Sequence, residues 1–368
     1  MTQMLPMDDH PPQARPFAYA ALSVIYGWTS RCIHVLAGAG VYDALGDEPE
    51  TAAALAARTN VNADALERIM RLLASVDVFE RLADGRYRHN EISRCYRSEH
   101  PIGAGAIALV QGMPLLQAAM SDFEISLKTG GSSLAKFAPE GLWAYFQKHP
   151  EEGRAFDAAM TNQSVMANEG LADAYDFAQF RSIADVGGGQ GATLAAILAK
   201  TRDTKGVLFD LPGVVAGVKE TPRLKVIGGD FLTEVPKGSD AYLLKFVLHD
   251  WPDDKAIEIL KSVRKAMRAG AKLLVIEALR PDTPDFHLSK IFDISMLALV
   301  GGRERTEAEF AALFTQTGFR FERVINTAVP IAQIVEAEAV RPALRTPRRP
   351  TIPRTPAPRP ELPARPSS

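Results

Sequence analysis

The sequence predicts an α/β fold, in which a mostly parallel β-sheet covered by helices on both faces follows a mostly helical N-terminal part. Two observations predict it. From Ile183 onward, short apolar runs of strand type alternate with amphipathic runs of helical type. Before that point apolar residues recur at helical spacing, and only two short runs are typical of strands. The chain has 368 residues, 46% of them hydrophobic, which is enough for two domains with sizeable cores.

The charge of the chain is unevenly distributed. The formal net charge is −2, but the segment from Arg341 to the end carries seven arginines and one acid, or +6, which leaves −8 for the first 340 residues. An acidic body argues against a general nucleic-acid binder. We therefore expect no nucleic-acid partner.

Targeting and redox signals are weak. The two cysteines, Cys32 and Cys95, have no metal-binding or redox spacing, which is typical of reduced thiols. The N-terminus shows neither the basic nor the apolar region of a secretory signal, and no uncharged apolar run reaches the roughly 18 residues of a membrane span. These features predict a cytoplasmic protein without a membrane partner.

Residues 17–100 form the first predicted domain, after a Pro-rich polar segment at residues 1–16 that we expect to be disordered. Its first helical stretch, residues 17–45, is apolar on several faces. Such a stretch must be buried against another surface, and a second subunit would provide one.

The second half of this domain predicts a pair of helices and a β-hairpin. One helix begins at Thr51, a second covers the run ALERIMRLLASVDV, and two short strands flank the turn at Ala83–Gly85. The second helix is expected to bury Leu66, Ile69, Leu72, Leu73 and Val76 on one face. This order of elements is a winged-helix layout. Nearby arginines would suit DNA binding, but the acidic body favours a dimerisation module with the same fold.

Residues 101–180 are predicted to be mostly helical and to connect the two domains. They are rich in methionine and aromatic residues, which either form ordinary core or line a pocket for a flat aromatic ligand. Both interpretations stay open at this point. At the other end of the chain, residues 339–368 form an Arg/Pro-rich segment, and its nine prolines from Pro342 onward predict a disordered tail.

Residues 181–338 form the predicted sheet domain. After the strand at Ile183, the predicted strands are GVLFDL, KVIGGDF, AYLLKFVL and KLLVIEAL. The clearest helices between them are TLAAILAK and DKAIEILKSVRKAM. Two further helices, KIFDISMLALV and EAEFAALFTQTG, precede the last predicted strands, FERVINT and AQIVEAE.

A glycine-rich loop, DVGGGQGA, follows the first strand of this domain and runs from Asp185 to Ala192. Glycines let a ligand approach the backbone, and the free N–H groups of the next helix attract negative charge. Gly187 and Gly189 fit the G-x-G-x-x-G/A pattern of NAD-binding loops. They also fit the D-x-G-x-G-x-G pattern of loops that bind S-adenosylmethionine. The glycines alone do not decide between the two cofactors.

Acidic and aromatic residues near the strand ends favour S-adenosylmethionine. Asp185 would repel a pyrophosphate but suits the ammonium group of a methionyl ligand. Asp210 follows the next strand, where a carboxylate accepts hydrogen bonds from ribose hydroxyls. Asp230 and Phe231 end another strand, where an acid would accept from the adenine amino group and a ring would stack on its face.

The run LLKFVLHDWPDD contains the candidate base. His249 follows the third strand after the loop, and imidazole titrates near neutral pH, which suits a base for a phenolic hydroxyl. Glu277 and Glu304 follow later elements from which they would flank the ring. One of them would hold the Nδ1–H tautomer and leave Nε2 to accept a proton. A metal site of His249, Asp250 and nearby acids is the alternative, but the last two acids of the run suit a helix N-terminus, so we expect no metal.

Taken together, these motifs resemble those of the metal-independent, class I small-molecule O-methyltransferases, which include plant caffeate and flavonoid enzymes and bacterial enzymes of secondary metabolism. The resemblance covers about residues 17–337 and rests on DVGGGQGA, LFDLP, GGDF, LLKFVLHDWPDDKAIEIL, LLVIEALRP and GGRERTEAEF. It implies a Rossmann-like, doubly wound methyltransferase domain, an N-terminal winged-helix dimerisation domain and a homodimer.

The resemblance also implies roles for individual residues. The positions that match cofactor-binding residues are Gly187, Asp210, Asp230, Phe231 and Lys245. His249 matches the catalytic base, with Glu277 and Glu304 as its flanking acids. The positions that match acceptor-binding residues are Met160, Asp250 and Met296. Val300 stands where plant members carry an asparagine, so phenylpropanoid specificity is not implied.

The predicted reaction is methyl transfer from S-adenosylmethionine to a hydroxyl of a small aromatic secondary metabolite, with S-adenosylhomocysteine as the second product. One alternative is a protein of the same fold that uses the cofactor for hydroxylation or decarboxylation. Another is an N- or C-methyltransferase, for which the base is unnecessary. A winged-helix DNA-binding regulator and an NAD-dependent dehydrogenase are the remote alternatives.

Overall fold

The computed structural model describes residues 27–340, with the backbone alone at residues 161–166 and 169. The predicted disordered lead at 1–16 and the Arg/Pro-rich tail beyond Val340 lie outside the described residues. The first predicted helical stretch is described from Gly27 onward.

The N-terminal domain consists of short helices and one β-hairpin. Its elements are α1 (Gly27–Gly38), α2 (Val41–Ala44), α3 (Ala52–Thr59), α4 (Ala63–Ser75), β1 (Phe79–Arg81), β2 (Tyr87–His89) and α5 (Glu91–Arg94). The side chains of Thr51 and Asn62 cap α3 and α4, because each accepts a hydrogen bond from a backbone N–H of the first turn. The predicted helix pair and hairpin are present. The winged-helix assignment itself stays a prediction.

The core of this domain corrects one detail of the predicted helix face. Leu66, Met70 and Leu73 are the fully buried residues of α4, and they recur at i, i+4 and i+7. Leu72, which we expected on that face, is 38% exposed. The prediction was wrong here because it took a wider stripe than the helix buries within its own domain.

Five helices connect the two domains. They are α6 (Ala104–Gln111), α7 (Pro114–Ser121), α8 (Glu124–Thr129), α9 (Leu142–Lys148) and α10 (Pro150–Ala174). Helix α10 has 25 residues and packs against α6 and α9 as well as against the first helix of the sheet domain. No single helix among residues 27–340 is long and apolar enough to cross a membrane, and α6 and α7 pass such a test only as a pair bent by 59°.

The sheet domain has seven strands. Its elements are β3 (Ser182–Val186), α11 (Ala192–Lys200), β4 (Lys205–Asp210), α12 (Pro212–Val215), β5 (Leu224–Gly228), β6 (Ala241–Lys245), α13 (Asp253–Ala266), β7 (Lys272–Glu277), α14 (Leu288–Leu299), α15 (Glu307–Thr317), β8 (Phe319–Ile325) and β9 (Gln333–Ala339). The strand order is β5-β4-β3-β6-β7-β9-β8. The first five of these strands are parallel, and β9 is antiparallel to both of its neighbours.

Both faces of the sheet are buried, as a parallel sheet between helices requires. Successive residues of β3 point to opposite faces, so Ala184 and Val186 join one core cluster while Ile183 joins the other. Asp185 lies between them in sequence, opposite Leu208 on β4 and Leu243 on β6. β3, an interior strand of the sheet, therefore carries a carboxylate into the apolar interior.

Several predicted strands extend beyond the carboxyl ends of the observed ones. The run KVIGGDF forms a strand only as far as Gly228, and AYLLKFVL only as far as Lys245. Phe246 has φ 53°, in the left-handed region, which ends β6 and turns the chain into a short 3₁₀ helix, Leu248–Asp250. His249 therefore lies on a turn beyond the strand, not on the strand itself.

Candidate active site

Four charged residues meet at one edge of the sheet. Asp210, Lys245 and Glu277 are the last residues of their strands, and Asp185 is the last but one of β3. Because β3, β4, β6 and β7 are parallel, their carboxyl ends lie together. The predicted cofactor and base residues thus converge on the edge where ligands bind in open α/β sheets.

The glycine loop is folded tightly on one side and open on the other. Gly187 and Gly189 have φ 72° and 59°, which side chains rarely tolerate. A Cβ on Gly188 would lie 2.7 Å from Asp185 Oδ2, whereas a Cβ on Gly189 would meet nothing within 4 Å. The backbone of Gly189 is therefore accessible to a ligand, and its N–H donates to Asp210 Oδ2 at 2.7 Å.

Asp185 is a buried carboxylate without a hydrogen bond. It is 0% exposed, and neither of its oxygens has a hydrogen-bond partner among the residues that the structure describes. Burial raises its pKa to about 7, against the attraction of Lys245 and with a small contribution from Asp210. Such a group needs a donor. The ammonium group of a bound ligand would supply one.

The predicted ribose and adenine residues lie around the same loop. Asp210 accepts from the backbone N–H groups of Gly189 and Leu211, both at 2.7 Å, and burial raises its pKa. A ring carbon of Phe231 lies 3.6 Å from the position of a Cβ on Gly187, so the ring is beside the loop. Asp230 is exposed, and its Oδ1 accepts from the N–H of Leu232 at 2.8 Å.

Lys245 links this region to the candidate base. Its ammonium nitrogen lies 4.6 Å from the ring centroid of Phe246. Burial lowers its pKa to about 8, although the negative charges of Asp185 and Glu277 oppose this change. Lys245 therefore lies within the electrostatic influence of both acids.

His249 is held between three carboxylates. Its Nδ1 lies 2.8 Å from Glu304 Oε1 and 3.5 Å from Glu277 Oε2, and its Nε2 lies 3.5 Å from Asp250 Oδ1. The side chains of Glu277 and Glu304 are 1% exposed and that of His249 is 15% exposed. The imidazole is thus anchored on its Nδ1 side and reachable from solvent elsewhere.

Glu277 also fixes the backbone that carries the imidazole. Its Oε1 accepts from the consecutive N–H groups of Val247, Leu248 and His249, at 3.2, 3.0 and 3.4 Å. This carboxylate acts on the 3₁₀ turn as a capping residue acts on a helix N-terminus. The turn would otherwise leave these donors without a partner in a buried site.

The carboxylates dominate the titration of the base. Burial by itself disfavours the imidazolium, but the charges of Glu277 and Asp250 and the hydrogen bond to Glu304 outweigh it and raise the pKa of His249 to about 10. Burial raises the pKa of Asp250 to about 6 and that of Glu277 above its usual range. The cluster therefore retains a proton at neutral pH.

The same cluster is the one set of described residues with metal-ligand geometry. The ligand atoms of His249, Glu277 and Glu304 lie within 4.8 Å of one another. Nδ1 of His249 faces Glu304 at hydrogen-bond distance, which is the arrangement of an oriented imidazole.

The predicted acceptor residues border an aromatic cluster. Met160 packs in a cluster from α6–α10 together with Leu299 and Val300 of the α14 end. Met296 lies three residues before Leu299 and four before Val300, so it shares their helix face. The same cluster includes Trp143 and Phe156, with ring centroids 5.8 Å apart. The methionine- and aromatic-rich helices thus form a hydrophobic core. Its partly buried side chains lie beside the carboxyl end of α14.

Two protein-family models match the sequence. The O-methyltransferase domain matches residues 125–320, and the O-methyltransferase dimerisation domain matches residues 23–99. The chain belongs to the O-methyltransferase family. The family, the α/β fold with an N-terminal dimerisation domain and the methyltransferase class that we predicted are confirmed.

Individual relatives of this O-methyltransferase match over most of their length. The phenazine O-methyltransferase PhzM of Lysobacter antibioticus is 35% identical over 337 residues, which cover 89% of this chain and 98% of that protein. The 8-amino-8-demethylriboflavin N,N-dimethyltransferase of Streptomyces davaonensis is 33% identical over 288 residues, 75% of this chain and 82% of that protein. The SAH-bound crystal structure of CalO1, a methyltransferase in calicheamicin biosynthesis, superposes with a TM-score of 0.78 at 35% identity, covering 89% and 99% of the two chains.

Three residues of the O-methyltransferase site were missed in the sequence. The ring of Trp251 meets that of Phe231 edge-on, with centroids 6.0 Å apart, and the ring of Phe246 stacks on His249 at 5.6 Å. Arg305 is buried behind the base. The signal for Trp251 was its place two residues after His249. No sequence signal indicates a buried arginine or a left-handed phenylalanine.

Proposed function

We propose that this O-methyltransferase methylates a hydroxyl of a small aromatic secondary metabolite, with His249 as the general base. One observation carries the proposal. The Nδ1 atom of His249 is held 2.8 Å from the buried Glu304 carboxylate, which leaves Nε2 as the proton acceptor. This base lies at the carboxyl edge of the sheet, on the turn that follows Lys245.

S-adenosylmethionine is the methyl donor of this reaction, as predicted, and the residues at the sheet edge fit it. Asp185 offers its unsatisfied carboxylate to the ammonium group, and Asp210 offers its remaining lone pairs to the ribose hydroxyls. Phe231 and Trp251 offer aromatic surface for the adenine, with Asp230 in the same loop. When bound, the cofactor supplies an electrophilic methyl group and a positive charge.

The protonation state of His249 decides whether it can act as a base. The proton of the acceptor hydroxyl moves to Nε2 of His249, and Glu304 stabilises the resulting imidazolium. With a pKa of about 10, His249 is already protonated at neutral pH in the protein alone. A positive charge beside it lowers that pKa. Binding of the cationic donor therefore shifts the protonation equilibrium of His249 towards the neutral, proton-accepting form.

The acceptor and the assembly follow from the rest of the chain. Met160 and Met296 border the aromatic cluster, and the relative PhzM is named for a phenazine, so we propose a flat aromatic acceptor close to Asp250.

The dimerisation-domain match supports a homodimer, and the exposed apolar residues Trp28 and Val35 of α1 are suitable for its interface. We propose a cytoplasmic location, with neither nucleic acid nor membrane as partner.

An N-methyltransferase is the second candidate. It is favoured by the similarity to the 8-amino-8-demethylriboflavin N,N-dimethyltransferase. A neutral amine already has the lone pair that attacks the methyl group, so it needs no base in the role of His249. The two candidates therefore differ in what the loss of His249 does.

The test is His249→Ala, assayed with a panel of phenolic and aromatic amine acceptors. We expect kcat for phenols to fall about 10²–10⁴-fold, because a general base contributes about that factor, with an unchanged Kd for S-adenosylhomocysteine by calorimetry. His100→Ala, which lies between the N-terminal domain and α6, is the matched control. Equal methylation of phenols by His249→Ala would contradict the base assignment, and transfer to amines alone would favour the second candidate.

A further inference from the structure

Arg305 is a buried charge that the proposed mechanism does not use. It is the largest fully buried side chain among the described residues, with 0% of the side chain exposed. A guanidinium is costly to remove from water unless its N–H groups are satisfied. The burial of this charge therefore needs a physical explanation, all the more because Arg305 directly follows Glu304 in the sequence.

The partners of Arg305 surround the base. Its Nη1 donates to the carbonyl of Leu248 at 2.7 Å, and its Nη2 donates to the carbonyl of Trp251 at 2.8 Å. Its Nε and Nη2 donate to Asp253 Oδ1, at 3.0 and 2.9 Å, at the first residue of α13. The guanidinium thus joins the carbonyl immediately before His249, the carbonyl two residues after it and the helix that follows.

The residues just before Arg305 contact the same turn. The N–H of Arg303 donates to the carbonyl of His249 at 2.8 Å. A Cβ on Gly302 would lie 2.0 Å from that carbonyl oxygen, so only glycine fits there. We call residues 302–305, which include Glu304, the base strap. Its four consecutive residues all contact the turn at residues 248–253 by backbone, side chain or close packing.

We propose that Arg305 is a positioning residue for His249, an inference that rests on the proposed role of His249 as base. Glu304 holds the imidazole, and the neighbouring Arg305 holds the backbone on both sides of it. The ring and its carboxylate therefore keep one relative position. Only a planar fork with five donors reaches both carbonyls and the carboxylate at once. A lysine has a single nitrogen and cannot make this set of contacts.

The chain contains a matched control for this arrangement. Arg264 of α13 also uses its guanidinium to bind backbone carbonyls, those of Gly318, Met267 and Val340. It does so at the carboxyl end of α13, whereas the turn with His249 precedes the amino end of that helix. Arg264→Lys and Arg305→Lys thus make the same chemical change at two arginines that both bind backbone carbonyls. Only Arg305 does so beside His249.

The experiment measures kcat, the KM for S-adenosylmethionine and thermal unfolding for both lysine variants of the full chain. We expect Arg305→Lys to lower kcat about 10- to 100-fold per folded enzyme, with an unchanged KM, since a displacement of about 1 Å can cost about 10²-fold. Arg264→Lys should keep the kcat of the wild type. Wild-type kcat in folded Arg305→Lys, or equal losses in both variants, would overturn the proposal.

A double-mutant cycle separates positioning from a general structural defect. If Arg305 acts through His249, Arg305→Lys should cause no further loss of turnover in the His249→Ala background. If the double variant instead loses turnover by the product of the two single losses, the proposal is overturned. If Arg305→Lys does not fold, Asp253→Ala removes one acceptor of Arg305 at a half-exposed position, and we expect it to lower kcat a few-fold with an unchanged KM. Unchanged kcat in that variant would overturn the proposal as well. Full activity of His249→Ala alone would instead refute the proposed function.

Discussion

Asparagine at position 185 should make the protein more stable and weaken its binding of the methyl donor. Asp185 is fully buried at the end of β3, and neither oxygen has a hydrogen-bond partner among the described residues. Asp185→Asn keeps the size of the side chain and removes a charge whose burial is unfavourable. It also removes the carboxylate that we assign to the ammonium group of S-adenosylmethionine.

The size of the effect follows from the pKa of this group. Burial raises the pKa of Asp185 from 3.8 to about 7, and one unit corresponds to about 1.4 kcal/mol, so the ionised side chain costs up to about 4 kcal/mol. This value already includes the attraction of Lys245, and part of the gain is offset because the asparagine amide is itself a buried polar group. We therefore expect Asp185→Asn to raise the unfolding free energy by about 2–3 kcal/mol at pH 8.

The sign of the pH dependence is fixed by the same pKa values. Between about pH 4 and 7 the folded wild type keeps a proton on Asp185 that the unfolded chain has lost, so its stability falls as pH rises through this window. Asparagine does not titrate. The stability advantage of the variant should therefore grow by about 1.4 kcal/mol per pH unit from about pH 4 and become constant above about pH 7.

The assay is urea unfolding, followed by tryptophan fluorescence at about pH 5 and 8 and at a fixed protein concentration, because dimers unfold in a concentration-dependent way. Asp203→Asn, at an exposed position in the loop before β4, is the control for the chemical change itself. Calorimetry should show about 10- to 100-fold weaker binding of S-adenosylmethionine, as expected for one lost charge-assisted hydrogen bond. A variant that is less stable than the wild type at pH 8, or a difference that does not grow with pH, would refute this reasoning.

Two further substitutions test the turn and the loop. Glu277→Ala leaves three backbone donors without an acceptor and should lower the unfolding free energy by about 3 kcal/mol in urea, whereas Glu277→Gln keeps an acceptor oxygen and should stay within about 1 kcal/mol. Equal losses in the two variants would contradict the capping role. Gly188→Ala brings a Cβ within 2.7 Å of Asp185 Oδ2 and should weaken S-adenosylmethionine binding in calorimetry by about tenfold or more, whereas Gly213→Ala meets nothing within 4 Å and is the control. Equal affinities of the two alanine variants would contradict the close packing of the loop.

The sheet domain could be predicted because its signals are local. Alternating apolar runs predict strands, and parallel strands bring their carboxyl ends to one edge. Asp185 and Asp210 could therefore be placed together from their positions alone, and the structure has them at that edge, where Lys245, which was predicted from the family resemblance, also lies. Glu304 lies outside any strand, on the segment after α14, and its place beside His249 was predicted from its position after a later element and from the family resemblance.

The remaining features depend on contacts between distant segments. A positive φ at a phenylalanine has no sequence signature, so the end of β6 at Lys245 could not be read from the run AYLLKFVL. A charged residue is expected at the surface, and only the fold shows that Arg305 is buried against Leu248 and Trp251. The exposure of Leu72 likewise depends on which neighbours the helix meets.

The order of synthesis on the ribosome has a bearing on this sheet. The last strand among the described residues, β9, lies between β7 and β8, and Gln333 of β9 is paired with Glu277 of β7. The strand β7, which ends in Glu277, therefore has an unpaired edge until residues 333–339 have been made. An unpaired strand edge of a nascent chain is prone to aggregation. A chain stopped before residue 333 would expose that edge permanently, which makes early termination near the carboxyl end a route to misfolding and not merely to a shorter enzyme.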